Sequence, residues 1–289
     1  MKIRAPAKIN LRLRVVGKRR DGYHLLDTIM VAVSLYDEIE IRKIKAIGKK
    51  KSAVDGLLKV TCDDPSVPSG GKNLAYRAAL LLMQQQSSGQ AVHIHIRKRI
   101  PVGAGLGGGS SDAAATLLGL NRLLGFRFST RKLEKLSLSL GADVPFFIRA
   151  RPARARGIGE RLSPLKGIPR MWSVILYPGF PVSTAWVYGN LRLKLTKPSV
   201  NTSIASSLKS FDKRGGVLVN DLETVTIGRY PKIGLLRDRL VCAGAAGVLM
   251  SGSGSSVFGI FNSKQEAEAA FHRLRQEEGA QAFLVRVLS

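Results

Sequence analysis

Apolar and polar residues alternate at the start of the chain. Seven apolar side chains occupy every second position from Ile3 to Val15, and the positions between them are mostly charged or polar, among them Lys8 and Asn10. A period of two is typical of a β-strand and places the polar members on one face. That face is either solvated, as is usual for an antiparallel sheet, or lines a cleft.

Hydrophobic periodicity and turn residues predict elements along the rest of the chain. Asn73 is the expected N-cap of a helix, and the Asp-Gly pair within residues 19–24 predicts a turn. Gly141 is the expected C′ residue of a helix, followed by a strand over residues 141–148. The other predicted strands span residues 30–45, 57–63, 91–100, 172–179 and 282–289, with a strand–glycine–strand unit within 240–263; the predicted helices span residues 70–86, about 111–124, 130–140, 220–225 and 263–279.

After Arg149 the chain becomes rich in arginine, proline and glycine, in the segment RARPARARGIGER. Such a change of composition is typical of a connector between domains. We therefore predict two domains, residues 1–154 and 155–289. Because strands and covering helices are mixed in both, the predicted fold class is α+β.

The chain is strongly basic. Its 46 lysines and arginines against 20 acidic residues give a net charge of +26, and such a surplus attracts polyanions, so RNA binding is an open alternative. The basic residues are spread over the sequence, with runs at 17–20, 42–51, 96–99 and 149–156, and no run is interleaved with stacking aromatics. We interpret most of the charge as a solvated surface that helps to attract an anionic substrate, and we expect no dedicated nucleic-acid partner.

Other features favour a cytoplasmic protein. The two cysteines, Cys62 and Cys242, are too few for a disulfide framework, which fits a reducing compartment. The first residues lack the apolar core of a signal peptide. Residues 240–263 carry no charge, yet their glycines and serines make them too polar to span a membrane. We therefore expect no membrane partner.

The segment PVGAGLGGGSSDAAA, residues 101–115, has five glycines in its first nine positions and runs into a predicted helix. A bare backbone before a helix start favours phosphate binding. A Rossmann loop is excluded because the preceding strand is half polar and no acidic residue stands near position 128, and a Walker A loop because Gly109 stands where lysine is required. What remains is a loop of main-chain N–H groups, with the hydroxyls of Ser110 and Ser111 available to phosphate oxygens or a hydrated Mg²⁺.

Segments along nearly the whole chain resemble motifs of one enzyme family, the GHMP kinases (galactokinase, homoserine kinase, mevalonate kinase and relatives). Besides the glycine loop, they are PAKINLRL at 6–13, RRDGYH at 19–24, KNLAYRA at 72–78, LGADVPFF at 140–147, ARGIGERL at 155–162, NDLE at 220–223 and SGSGSSVFGIF at 251–261. The combination of PAKIN, DGYH and GADVP resembles the members that act on a cytidine diphosphate alcohol of the non-mevalonate isoprenoid pathway. The glycine loop alone indicates only the superfamily.

The resemblance implies a fold and a reaction. The fold would join an N-terminal domain like the second domain of ribosomal protein S5 to a C-terminal ferredoxin-like α/β sandwich, with the two substrates in the cleft between them. The reaction would transfer the γ-phosphoryl group of ATP, with Mg²⁺, to the 2-hydroxyl of a small-molecule alcohol. The glutamate that binds Mg²⁺ in some members cannot be located in this sequence, so no metal ligand is assigned.

The resemblance also implies roles for single residues. Asp143 would accept the hydroxyl proton, and Lys8 would keep that carboxylate ionised and meet phosphate charge. From the residues alone, Asp143 is more simply a turn residue and Lys8 a surface lysine. The ATP-binding residues would be Pro101, Gly103, Gly105, Leu106, Gly107, Gly108, Gly109, Ser110 and Ser111, and the substrate-binding residues would be Asn10, Tyr23, His24 and Tyr188.

The substrate is the point on which alternatives remain. The resemblance implies that Tyr23 and His24 recognise a cytosine ring. It also implies that Tyr188 is a second aromatic residue that stacks on this ring. A related kinase acting on homoserine or a mevalonate derivative would leave these rings without a base to bind. His93 and His95 share a strand face like a metal-binding pair, but no third ligand stands near them in sequence, so no metal site is expected.

Overall fold

The structure is a computed structural model that describes residues 1–45, 56–85, 89–192, 218–276 and 278–288. The chain divides into two compact units. Unit 1 comprises residues 1–7, 35–102 and 107–150, and unit 2 comprises residues 8–34, 103–106 and 151–289. The division into domains 1–154 and 155–289 stays a prediction, and the part of the basic run 42–51 beyond Lys45 lies outside the described residues.

Unit 1 combines helices with a small mixed sheet. Strands β1 (Lys2–Lys18) and β2 (His24–Ile44) contribute residues to both units. In unit 1, β2 pairs antiparallel with β4 (Ala91–Arg97), which pairs parallel with β3 (Leu58–Cys62). The helices are α1 (Leu74–Gln85), α2 (Gly108–Leu123), α3 (Thr130–Ser137) and α4 (Val144–Arg149). Helix α2 lies close to the sheet at Gly119. A Cβ added there would lie 2.6 Å from the Cδ1 of Ile41.

Unit 2 contains a second sheet. Its elements are β5 (Ala153–Gly157), β6 (Arg161–Pro164), β7 (Trp172–Tyr177), α5 (Thr184–Gly189), β8 (Val219–Asn220), α6 (Glu223–Arg229), α7 (Pro231–Cys242), β9 (Gly247–Met250), β10 (Val257–Phe261), α8 (Lys264–Leu274) and β11 (Gln281–Arg286). The antiparallel order β11–β7–β10–β9, with α7 before β9 and α8 between β10 and β11, is the ferredoxin-like arrangement. Apolar residues of these elements form one buried core with Leu13 and Val15 of β1.

Two further pairings in unit 2 fix the residues that concern function. Strand β8 pairs parallel with β1, with Asn220 opposite Leu13. Strand β5 pairs antiparallel with β2, with Ala155 opposite Thr28. The buried stretch of β1 and the start of β2 are therefore held by strands from the second half of the chain.

Most predicted elements are present in the structure. The alternating segment forms β1, and Asn73 caps α1 by accepting the N–H of Ala75 at 2.8 Å. Asp-Gly forms the turn between β1 and β2, with Gly22 at a φ of 89°. No helix within the described parts of the chain is long and apolar enough to cross a bilayer.

The prediction around Gly141 is wrong in two respects. Helix α3 already ends at Ser137 and is capped by Leu138, so Gly141 is not its C′ residue. Residues 144–149 form helix α4 instead of a strand. Pro145 lies in the first turn of α4, where its fixed φ and missing N–H favour a helix start. The apolar run that follows is too short for its periodicity to distinguish a helix from a strand.

Candidate active site

Lys8 is buried, although a lysine on an alternating strand is ordinarily solvated. The residue is 4% exposed. Its ammonium donates to Oδ1 of Asn10 at 2.6 Å and to the carbonyl oxygen of Gly105 at 2.7 Å, and its backbone N–H donates to the carbonyl of Leu106 at 2.9 Å. Burying a cation is costly unless oxygens replace its hydration. At Lys8 and Asn10, the polar face of β1 is therefore an interior face.

In unit 2, the first part of the glycine loop is attached to the segment Ser251–Ser256. The Ser251 hydroxyl donates to the carbonyl of Gly105 at 3.0 Å, and the backbone N–H of Ser256 donates to the carbonyl of Ala104 at 3.1 Å. Gly105 has a φ of 77°, and a Cβ there would overlap the carbonyl oxygen of Ser251. The loop needs glycine at this position because the second backbone approaches too closely for any side chain.

Asn220, from the NDLE motif, holds that second backbone in place. Its side-chain amide donates to the carbonyl of Met250 at 2.8 Å and to the carbonyl of Gly252 at 2.7 Å. Asn220 is itself buried and accepts the N–H of Leu222 at 3.0 Å. Two motifs that the sequence analysis singled out separately are thus one hydrogen-bonded support for residues 103–106.

In unit 1, the glycine loop becomes the first turn of α2. Gly107 is the N-cap with a φ of 73°, so α2 begins at Gly108, earlier than predicted. The first N–H groups of a helix have no partner within it and carry partial positive charge. Ser111 is 1% exposed, and its hydroxyl has no hydrogen-bond partner among the described residues. This turn has the properties of an anion site.

Three buried ionisable residues of unit 1 were missed by the sequence analysis. Lys98 donates to Asp37 at 2.5 Å and to Asp112, the fifth residue of α2, at 2.9 Å. The other oxygen of Asp37 accepts the backbone N–H groups of Arg99 at 2.6 Å and Ile100 at 2.9 Å. The triad therefore fixes the residues that enter the glycine loop and joins them to the start of α2.

The electrostatics of the triad are dominated by burial. Burial, with the nearby Asp37 carboxylate, raises the pKa of Asp112 to about 8, against the opposing effect of Lys98. Sequence offers one hint, because Asp37 interrupts an apolar strand. It does not show that the three meet, because Lys98 is 61 positions from Asp37.

Replacing Asp112 with asparagine should change the pH dependence of stability. An aspartate in an unfolded chain releases its proton at about pH 4, whereas Asp112 in the folded protein keeps its proton up to about pH 8. Between these values the folded state binds more protons, so its stability falls as the pH rises. Relative to Asp112→Asn, the unfolding free energy of the unmodified protein should fall by about 1 kcal/mol per pH unit over that range.

Urea denaturation from about pH 5 to about pH 8 measures this difference. Asp238→Asn is the matched control, because Asp238 is exposed on α7. Parallel stability curves for the unmodified protein and Asp112→Asn would contradict the prediction.

Two of the residues predicted to hold a base contact each other in unit 2. The rings of His24 and Tyr188 are stacked, with centroids 5.1 Å apart and planes at 28°. Burial and the positive charge of Lys18 lower the pKa of His24, which favours the neutral imidazole. Tyr23 is 60% exposed. A pair of stacked rings beside an exposed tyrosine can accept a further flat ring.

Asp143 occupies the N-cap position of α4 in unit 1, and its side chain makes no capping hydrogen bond there. It is half-buried. Lys8 belongs to unit 2, and the predicted pairing of Lys8 with Asp143 stays a prediction. A carboxylate that does not cap its own helix is chemically available to a substrate.

His93 and His95 have a structural explanation. The hydroxyl of Thr61 lies between them, 2.8 Å from Nε2 of His93 and 2.9 Å from Nδ1 of His95. Within the described residues, no group of three or more histidine, cysteine, aspartate or glutamate side chains is placed to hold a metal ion. We therefore describe the two histidines as part of the β3–β4 surface.

Comparisons with known proteins place this chain in a family. The model described as "GHMP kinases N terminal domain" matches residues 73–151, and "GHMP kinases C terminal" matches residues 206–281. A protein of Geobacter sp. (strain M21) named 4-diphosphocytidyl-2-C-methyl-D-erythritol kinase is 47% identical over 288 residues, covering 100% of this chain and 99% of that protein. A protein of the same name from Syntrophotalea carbinolica is 47% identical over 281 residues, covering 97% and 96%.

A solved structure gives the same result. The crystal structure of 4-(cytidine 5'-diphospho)-2C-methyl-D-erythritol kinase is 37% identical to this chain, covers 100% of both chains and superposes with a TM-score of 0.84. The chain belongs to the GHMP kinase family and has its α+β fold. It is a phosphotransferase with an alcohol as acceptor, and ATP is its co-substrate.

Proposed function

We propose that the protein transfers the γ-phosphoryl group of ATP to the 2-hydroxyl of 4-diphosphocytidyl-2-C-methyl-D-erythritol, giving the 2-phosphate and ADP, in non-mevalonate isoprenoid biosynthesis. The observation that carries the substrate is the stacked pair of His24 and Tyr188, in the same unit as Lys8 and Asn10. Homoserine and mevalonate have no base that would use these rings. The names of the similar proteins support the same substrate.

The chemistry follows from what phosphoryl transfer requires, namely positioning and neutralisation of charge. The ATP phosphates bind the main-chain N–H groups of residues 107–109 and the Ser110 and Ser111 hydroxyls, while Pro101, Gly103, Gly105 and Leu106 shape the loop. Lys8 contributes a buried positive charge whose ammonium already contacts the loop at Gly105. Asp143 accepts the proton of the 2-hydroxyl as the oxygen attacks the γ-phosphorus, and ADP leaves.

Mg²⁺ accompanies ATP in this proposal. Magnesium prefers oxygen ligands, and phosphate groups and water molecules usually supply several of them. No group of three or more histidine, cysteine, aspartate or glutamate side chains among the described residues is placed to hold a metal ion. We therefore assign no protein ligand to the ion, which arrives with the nucleotide.

The acceptor is held by its two ends. Asn10 binds the hydroxyl-bearing end, and Tyr23, His24 and Tyr188 bind the cytosine. Stacking tolerates any base, so the preference for cytosine comes from hydrogen bonds near His24.

The division into domains 1–154 and 155–289 remains our proposal. A cytoplasmic location is also a proposal, and the free thiols of Cys62 and Cys242 fit that location.

The proposal is tested by a coupled assay of ADP release with purified protein, MgATP and the cytidyl diphosphate alcohol. Homoserine and mevalonate are the comparison acceptors. We expect turnover only with the cytidyl compound. Turnover of homoserine or mevalonate without turnover of the cytidyl compound would overturn the proposed substrate. Salt-sensitive RNA binding without ATP turnover would favour the RNA-binding alternative.

His24→Ala should weaken binding of the acceptor while leaving ATP binding intact. Loss of one stacked ring and its hydrogen bonds should raise KM for the cytidyl substrate by about 10-fold to 100-fold. Steady-state kinetics with each substrate varied in turn measures this split. His272→Ala is the matched control, because His272 is exposed on α8, and unchanged kinetics of His24→Ala would favour a base-free acceptor.

A further inference from the structure

A continuous chain of buried hydrogen bonds runs from the start of β2 to the Lys8 ammonium. The Thr28 hydroxyl donates to the carbonyl of Arg12 at 2.6 Å and accepts from Nδ2 of Asn10 at 2.8 Å. Oδ1 of Asn10 in turn accepts from the Lys8 ammonium at 2.6 Å. The exposed fractions of Thr28, Asn10 and Lys8 are 2%, 3% and 4%, so water competes little for these bonds.

The two neighbours of Asn10 require the same orientation of its amide. An ammonium has donors only, so it must face the amide oxygen. A hydroxyl has one proton, and Thr28 gives that proton to Arg12, so the hydroxyl must face the amide nitrogen as an acceptor. A flipped amide would place its NH₂ against the ammonium and its oxygen against the lone pairs of Thr28.

Thr28 is well placed to impose this orientation because its own backbone is fixed. It stands opposite Ala155 in the pairing of β2 with β5. The adjacent Asp27 forms a bidentate ion pair with Arg154, with distances of 2.6 and 2.7 Å. Such planar paired hydrogen bonds are among the more rigid side-chain contacts.

We propose that Thr28 is a positioning residue that locks the Asn10 amide with its oxygen toward Lys8 and thereby holds the Lys8 ammonium between Asn10 and Gly105. This inference rests on the proposed function, in which Asn10 binds the acceptor and Lys8 supplies the positive charge. Asn10 keeps one N–H and one lone pair beyond these bonds. Thr28 determines which of them the acceptor hydroxyl meets.

The kinetic test compares Thr28→Val, which removes the hydroxyl, with Thr28→Ser, which keeps it. Thr28→Val should lower kcat by about 10-fold to 100-fold through misplacement of reacting groups, with KM for ATP little changed. Thr28→Ser should restore activity to within about threefold of the unmodified protein, since the same hydroxyl remains. Thr116→Val is the matched control, because Thr116 is fully buried and its hydroxyl has no partner among the described residues.

A double-mutant cycle separates positioning from general damage. If Thr28 acts through Asn10, Thr28→Val in an Asn10→Ala background should cost no more than about twofold, a strongly non-additive result. Full additivity would overturn the proposal. If Thr28→Val does not fold, Thr28→Cys replaces it, because a thiol is a much weaker donor and acceptor.

A measurement without activity makes the two proposals distinguishable. In ¹⁵N NMR, the side-chain amide protons of Asn10, assigned by their absence in Asn10→Ala, should exchange with solvent at least about tenfold faster in Thr28→Val. If the unmodified protein does not use the cytidyl substrate but this exchange changes, the proposed function fails and the positioning role stands. If turnover is normal and Thr28→Val changes neither kcat nor exchange, only the positioning role fails.

Discussion

Gly105→Ala is expected to lower the affinity for ATP by about 100-fold or more, because the cost of left-handed backbone strain is added to that of overpacking. Gly105 has a φ of 77°, and its Cβ would overlap the Ser251 carbonyl oxygen and lie 2.9 Å from the carbonyl oxygen of Gly254. Both obstacles are backbone, which cannot rotate away as a side chain could. The loop must therefore separate from residues 251–254, and the carbonyl that Lys8 and Ser251 share moves with it.

Isothermal titration with ATP measures the effect, and thermal unfolding measures the accompanying loss of stability. Gly125→Ala is the control: its φ of 70° imposes the same backbone strain, but no described atom lies within 4 Å of the added Cβ. We expect Gly125→Ala to lose some stability and to keep its ATP affinity. Equal losses of affinity in the two variants would show that close packing at Gly105 is not the cause.

The contrast between these two glycines illustrates what sequence reveals about the site. The glycine loop can be predicted because its composition is unusual and a helix follows it. The need for glycine at 105 in particular depends on Ser251, which is 146 positions away. Distances of that kind are set by the tertiary structure and leave no local pattern.

The polar face of β1 also shows what sequence alone does not reveal about the site. The period of two correctly predicts a strand with Lys8 and Asn10 on one face. Whether that face meets water or protein depends on Thr28 and Gly105, which come from other parts of the chain. Periodicity therefore gives the direction of a side chain, and only the fold gives its environment.

Lys98 and Asp37 were missed for a related reason. Single charged residues in a sequence are usually solvated, and nothing local distinguishes Lys98 from the neighbouring Arg97 and Arg99. In the structure, the side chain of Lys98 is 6% exposed and that of Asp37 is fully buried. An unpaired charge at this depth would be strongly destabilising, so the members of the triad depend on one another.

Asp143→Asn is expected to lower kcat by about a thousandfold, the usual contribution of a positioned proton acceptor. Asparagine has nearly the same shape and is equally suited to an N-cap position, so α4 should keep its stability. The carboxylate is not consumed in capping α4, since it makes no capping bond there. ATP affinity should stay within about twofold, because the change removes an interaction of the reacting hydroxyl rather than of the nucleotide.

Single-turnover kinetics with saturating substrates isolates the chemical step, and Glu134→Gln, which removes another unit 1 carboxylate, on α3, is the control. Residual kcat above about one tenth of normal in Asp143→Asn would exclude Asp143 as the proton acceptor.

Lys8→Met provides the complementary test of the predicted pairing of Lys8 with Asp143. If Lys8 and Asp143 act on the same step, the double variant should be hardly slower than the slower single variant. Two independent roles would instead multiply, because each loss would then raise the barrier separately.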